Sequence, residues 1–276
     1  MWWPVATPTK ARRMTESPKQ VEDQHAHQRA YFDKAYAGYQ EYKLENWRKS
    51  YLTRIFGDLR IPGPAGYKFL DVGIGGMGYT TIEAARLGAE SWGIDLSQVA
   101  IESSRRLAVQ VLDAEAAARC HFDLGPAETL PYADNAYDGV SCIAVLEHIV
   151  NDRQVLAQLV RVLKPGGRLY LVIPHSFSKT PWPLAVLNWV NDKIVGHLRH
   201  YGREELATEM AALGAKEIKT VYHGHMAKFW QFLLGFVDKS MAEPDSPRWW
   251  KYEKQDLDAW QDERASMLSM VFEKNP

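Results

Sequence analysis

Three stretches of the chain carry residues spaced for chemistry. The first, Phe69-Leu70-Asp71-Val72-Gly73-Ile74-Gly75-Gly76-Met77-Gly78, reads as an apolar strand that ends in a carboxylate and runs into a glycine loop. Gly73, Gly75 and Gly78 permit a tight turn and close approach of backbone to a ligand, and the helix that follows aims its free N–H groups and positive end at the same point. This spacing also fits a dinucleotide loop, and glycine turns without a ligand are common, so the glycines alone decide little. Asp71 decides more, because it puts a charge where dinucleotide enzymes place an apolar strand residue. A second apolar run, Trp92-Gly93-Ile94, ends in Asp95, 17 residues after Gly78, where a carboxylate can accept both hydroxyls of a ribose. The third stretch, Ala144-Val145-Leu146-Glu147-His148-Ile149, brings an imidazole, which titrates in the range needed to take a proton from a hydroxyl.

These groups need elements to hold them. Apolar runs and turn signals alternate as strand 67–72, helix about 78–88, strand 90–95, helix 97–117, strands 119–124 and 137–143, helix 151–163 and strand 167–173. Such alternation predicts a doubly wound, mostly parallel α/β sheet. Ligands bind such sheets at the carboxyl ends of the strands, where Asp71, Asp95 and the segment holding His148 all fall. Ser97 is a suitable N-cap for the long helix, and Pro165-Gly166-Gly167 turns the chain into the next strand. A helix should run from Gly202 to Gly214, followed by a strand over 215–222, and the last strand, 267–273, should pair antiparallel at the sheet edge.

With AVLEHI (144–149) and LKPGGRLYLVIP (163–174), the glycine loop and Asp95 form four blocks that resemble the class I S-adenosylmethionine-dependent methyltransferases, and among them the small-molecule branch. The resemblance covers roughly residues 66–220. It implies a seven-stranded Rossmann-like fold, S-adenosyl-L-methionine as cofactor, and methyl transfer to a small-molecule acceptor. It also implies site residues: Asp71, Gly73, Gly75 and Gly78 at the amino-acid end, Asp95 and Leu96 at the ribose, Ala127 and Glu128 at the adenine, and Ala144 beside them. His148 matches a position that serves as catalytic base in some relatives and is structural in many others. One block departs from the pattern. Pro126, in Gly125-Pro126-Ala127-Glu128, stands where an aspartate is expected, leaving Asp123 or Glu128 to meet the adenine amino group. A nicotinamide oxidoreductase and a catalytically silent binding protein are the competing readings.

Two helices are expected over 21–60 with a break at Gly38, either as a lid on the cofactor or as core packing. Residues 1–20 read as a disordered lead, and 21–276 as one domain comprising those helices, a cofactor core at 66–175 and an acceptor cap from insertions at 176–200 and 224–264. The cap is rich in aromatic residues, Trp189 and Trp230 among them, and should line a large apolar pocket for a lipophilic or polycyclic hydroxyl compound. A second subunit or a membrane surface is another use for such a face. His197, His200 and Tyr201 are expected to position the acceptor. The two histidines, at i and i+3, could meet as metal ligands on one helix face, but no third ligand is in view and no metal is expected. A net charge of -1 argues against general nucleic-acid affinity. Cys120 and Cys142 lack metal-ligand spacing and fit a reducing compartment, the cytoplasm by default. No apolar run reaches the ~18 residues of a membrane span.

Overall fold

The computed structural model describes residues 18–38, 40–175, 192, 196–224 and 265–276. Nearly all of the expected cap, with Trp189 and Trp230, lies outside these residues, as does most of the expected disordered lead. The last residues of that lead belong instead to helix α1, Pro18–Tyr36.

After α1 come α2 (Asn46–Leu59), β1 (Lys68–Val72), α3 (Tyr79–Arg86), β2 (Glu90–Asp95), α4 (Gln98–Val111), α5 (Ala114–Ala118), β3 (Cys120–Leu124), β4 (Tyr137–Ile143), α6 (Asp152–Val162), β5 (Leu163–Pro174), α7 (Arg203–Ala212), β6 (Ala215–His223) and β7 (Met267–Lys274). The helix expected over 97–117 is two helices. Leu112 is extended, and the Asp113 side chain accepts from the Ala116 N–H, starting a new helix where the old one would continue.

The strands form one seven-stranded sheet in the order β3-β2-β1-β4-β5-β7-β6. β1 to β5 are parallel, while β7 runs antiparallel between β5 and β6. The expected edge position of the last strand is thus corrected, since β6 holds the edge and β7 lies inside. The burial pattern gives the reason: Leu268, Met270, Val271 and Phe272 are all buried, which suits a strand covered on both faces rather than an exposed edge.

Strand alternation divides the core. Leu70, Val72, Leu169, Leu171, Ile173, Met270 and Phe272 face the layer of α6 and α7. Phe69, Tyr170, Val172 and Val271 face the opposite layer, where α2 contributes Leu52, Ile55, Phe56 and Leu59. One face of α2 is therefore core packing. α1 is different: its described residues are exposed or half-buried, and none belongs to a core cluster. None of the described helices is long and apolar enough to cross a membrane.

Phe272 is fully buried in the interior strand, so Phe272→Ala should cost ~3–5 kcal/mol, read as a lower urea midpoint with the slope unchanged. A loss below ~1 kcal/mol would contradict the interior placement of β7.

Candidate active site

The chain reverses direction across the sheet between β1 and β4, and the crevice this leaves lies at the carboxyl ends of β1, β2 and β4. A cavity of ≈ 330 Å³ occupies it. Of the residues expected from the sequence, Asp71, Gly73, Gly75, Asp95, Leu96, Ala127, Glu128, Ala144 and His148 line the wall.

The loop after β1 is held to β2 by backbone and carboxylate together. The Gly73 N–H donates to the Ile94 carbonyl at 2.8 Å. The Asp95 carboxylate accepts from the Gly75 N–H at 3.1 Å and the Ser97 N–H at 2.9 Å. Gly73 has φ +79°, and a Cβ there would lie 2.2 Å from Val145 Cγ2, so only glycine lets this loop pass beneath the segment after β4. Ala144, with φ 55°, is a left-handed alanine in that facing segment. Such a conformation costs of order 1 kcal/mol or more and marks a turn that its surroundings enforce. Gly78 is not on the cavity wall; it caps α3 at φ +54°, where a Cβ would lie 2.8 Å from Ser104 Oγ.

Asp71 is buried at the end of β1, where it accepts from the Ser141 hydroxyl and, at 3.5 Å, from that of Thr81. Burial, aided by the charge of Asp95, lifts its carboxyl to about 7 despite these donors. Burial also raises Asp95, against the backbone donors that favour its charged form. Two carboxylates are thus held at a cost in one cavity, as suits a site built for a partly cationic, hydroxyl-bearing ligand.

Glu128 lines the cavity, with its Oε1 2.9 Å from His25 Nε2. Asp123, the other candidate for that end, accepts from the Tyr132 hydroxyl at 2.9 Å and is not on the wall. The geometry therefore favours Glu128.

His148 sits in a 3₁₀ turn, Leu146–His148, with its ring on the wall. Burial, with His197 adding to it, lowers the imidazole to about 4, while a ring N–H bonded to the Gly196 carbonyl works the other way. At neutral pH the ring is uncharged and able to accept a proton.

α1 crosses this side of the cavity. The Gln24 amide donates to the His148 carbonyl at 2.7 Å and accepts from the Val150 N–H at 3.3 Å, and Gln28 donates to the same carbonyl. The Phe32 ring stands edge-on to His148 with centroids 5.3 Å apart. His25, Gln28, Arg29, Phe32 and Tyr36 of α1 all line the cavity, and α2 adds Arg48, Tyr51 and Leu52.

Sequence reasoning allowed for a lid here but missed His25, Gln28, Arg29 and Arg48. Arg48 lies on the wall with its guanidinium 4.4 Å from the centroid of the Trp47 ring and 4.2 Å from that of Tyr79. An arginine on an amphipathic helix carries no signal of its own; only the flanking aromatic residues hinted at a held cation.

His197, His200 and Tyr201 are not on the cavity wall. Tyr201 is buried, its hydroxyl donating to Asp152 at 3.0 Å and to the Leu146 carbonyl at 3.2 Å, which makes it a strut under the 3₁₀ turn. His197 and His200 meet on Asp192, at 2.7 Å and 3.1 Å, in irregular chain rather than on a helix face. Asp192 is thus a third metal-ligand type of residue that the spacing did not reveal, and Glu147, His148 and His197 form a second such group.

Comparison with known proteins agrees with this geometry. The family described as "Methyltransferase domain" matches residues 70–171. An O-methyltransferase, cnsE, of Penicillium expansum is 36% identical over 133 residues, 48% of this chain and 46% of that protein. The mitochondrial ubiquinone biosynthesis O-methyltransferase of Schizosaccharomyces pombe is 35% identical over 130 residues, 46% of this chain and 44% of that protein. The chain thus spans less than half the length of these curated relatives. Among solved structures, the [4+2]-cyclase SpnF superposes with a TM-score of 0.57 at 21% identity, covering 83% of this chain and 81% of that one. Phosphoethanolamine N-methyltransferase 2 of Haemonchus contortus, in complex with S-adenosyl-L-methionine, gives 0.56 at 18% identity over 82% and 53%. These structural likenesses show a shared fold. Residues 70–171 thus match a methyltransferase domain, and the curated relatives above are O-methyltransferases.

Proposed function

We propose that this chain transfers the methyl group of S-adenosylmethionine to an acidic hydroxyl, phenolic or enolic, of a lipophilic small molecule. The observation that carries the reading is the convergence of Asp71, the Gly73–Gly75 backbone, Asp95 and His148 on one cavity.

The residues fit the cofactor group by group. Asp71 answers an α-ammonium, and Arg48, on the same wall, answers a carboxylate. Asp95 offers acceptor capacity to a ribose beside Leu96. Ala127 and Pro126 give an apolar and backbone edge for adenine, with Glu128 facing its amino group, so the missing aspartate at 126 is compensated two residues later. When bound, the cofactor supplies an electrophilic methyl group on a sulfonium sulfur.

The chain's own part is to orient the acceptor, exclude water and take one proton. α1 covers the cavity through Gln24, Gln28 and Phe32, and His148 presents a neutral ring to it. A base lowered to about 4 is always ready but weak, so it matches a hydroxyl already acidic, a phenol or an enol, better than an aliphatic alcohol. The O-methyltransferase names of the matched relatives support a hydroxyl acceptor. The aromatic composition of residues 225–264 supports a lipophilic one. The free cysteines, Cys120 and Cys142, are in keeping with a reducing cytoplasm.

Asp95→Ala should weaken S-adenosylhomocysteine binding at least tenfold, ~1.5–3 kcal/mol, in calorimetry. Unchanged affinity, or tighter binding of NAD, would overturn the cofactor assignment. Asp71 adds a pH signature. With its carboxyl at about 7, an adjacent ammonium favours the ionised form, so binding releases a proton at mildly acidic pH and affinity rises from about pH 6 to about 8. Asp71→Asn should bind more weakly and lose that slope. For the chemistry, a panel of phenols and catechols set against small polar alcohols identifies the acceptor class. His148→Ala should then slow single-turnover transfer by ~10²-fold or more while cofactor affinity holds. A loss of less than about threefold makes His148 structural.

A further inference from the structure

Behind His148, away from the cavity, lies a second layer of titratable groups for which methyl transfer has no direct use. Glu147 is fully buried, and neither of its carboxylate oxygens has a hydrogen-bond partner among the described residues. It faces His197, whose Nε2 is 4.0 Å from Glu147 Oε1. The opposite ring nitrogen of His197, Nδ1, is 2.7 Å from Asp192 Oδ1. Donor atoms of Glu147, His148 and His197 all lie within 4.8 Å of one another, and the rings of His148 and His197 meet edge to face with centroids 5.0 Å apart.

The backbone is tied at the same place. The Gly196 and His197 N–H groups donate to the Asp192 carbonyl at 2.8 Å and 3.0 Å, and the Leu198 N–H donates to the Glu147 carbonyl at 2.8 Å. Arg199 completes the seam, bonding the Val150 carbonyl at 2.9 Å and the Asp152 carboxylate at 2.5 Å. The segment carrying Gly196 is therefore clamped to the turn carrying His148, and His197 is the side chain at the centre of the clamp.

We propose that His197 is a positioning residue for His148. Anchored on Asp192 and packed against Glu147, it keeps its own ring and the segment from Gly196 to Leu198 against His148, so that one ring nitrogen of His148 is engaged on that side and the other is left bare toward the cavity. This rests on the reading of His148 as base. In the step it serves, the acceptor O–H bond breaks, its proton passes to the bare nitrogen, and the oxygen lone pair forms the new bond to the methyl carbon as the carbon–sulfur bond breaks. A ring free to flip or to exchange tautomers would present an N–H to the acceptor for part of the time and stall that transfer.

The test uses the full chain labelled with ¹⁵N-histidine, with the His148 signals assigned by their loss in His148→Ala. Long-range ¹H–¹⁵N spectra at neutral pH should show His148 as one neutral tautomer. In His197→Ala that signal should move to values averaged between tautomers, while S-adenosylhomocysteine affinity stays within about threefold. His197→Asn, which keeps a donor near Asp192, should restore the single tautomer at least in part, and it serves as the working variant if the alanine protein does not fold. Single-turnover transfer should fall ~10-fold or more in His197→Ala, with no further loss when His197→Ala is added to His148→Ala. A His148 tautomer unmoved by His197→Ala, and by His197→Asn where only that protein folds, overturns the proposal while leaving the base reading intact. A His148→Ala protein with full activity instead overturns the base reading beneath it. Stoichiometric zinc or another divalent metal on the purified chain, lost on mutating either His148 or His197, also overturns it, since both would then be ligands.

Discussion

The absence of a side chain at Gly73 is the constraint on which the site depends. β1 and β4 are neighbours in the sheet, and the loops that leave their carboxyl ends must pass within van der Waals contact for the crevice to be narrow. A Cβ at Gly73 would sit inside the Val145 side chain, and the backbone there is left-handed as well, so two independent reasons exclude any other residue. Ala144 shows the opposite compromise: it accepts left-handed strain so that the chain turns from β4 into the 3₁₀ turn bearing His148. The pocket thus takes its width from a contact between two loops rather than from the side chains that face a ligand.

Most of the core was legible because a parallel sheet covered on both faces repeats a simple pattern. Leu70 and Val72 go one way and Phe69 the other, and the same alternation in Leu169 to Ile173 could be read without knowing what covered either face. Asp71 and Asp95 were legible for a related reason, since a carboxylate closing an apolar run at a strand end has few uses other than a ligand. What escaped were choices made at long range. Asp113 splits a helix that periodicity alone would continue. β7 enters between two strands because both its faces are apolar, yet the sequence does not say which strands. Arg48, Gln24 and Phe32 lie on helices whose polar and apolar spacing is ordinary, and only the approach of those helices to the crevice gives them a role. His197 and His200 do come together, but on Asp192 and in irregular chain, with Glu147 on the far side of His197, where the spacing suggested a helix face.

The electrostatics of the crevice are asymmetric. Burial lifts Asp71 and Asp95 and lowers His148, so burial opposes charge on all three. For Asp71, with its carboxyl at about 7, a partner of opposite sign favours the ionised form, which ties binding to proton movement. The cover is lightly built. α1 is held by side-chain amides on the carbonyl of residue 148, by the His25–Glu128 contact and by Asp33 on Ser97, with no buried apolar stripe behind it. Such an element can lift without breaking the core, as admission of a ligand to a covered cavity requires.

The place of β7 bears on how the chain is made. Among the described residues β6 pairs with β7 alone, and the outer edge of β5 pairs only with β7. During synthesis, therefore, five parallel strands are complete by Pro174, yet about a hundred further residues must leave the ribosome before the strand that closes β5 exists. Through that interval β5 presents an open row of backbone donors and acceptors beside apolar side chains, and β6 has no partner. The nascent chain at this stage is a sheet with an unprotected edge, a state that invites pairing with the wrong strand or the wrong molecule. Closing that edge thus falls to β7.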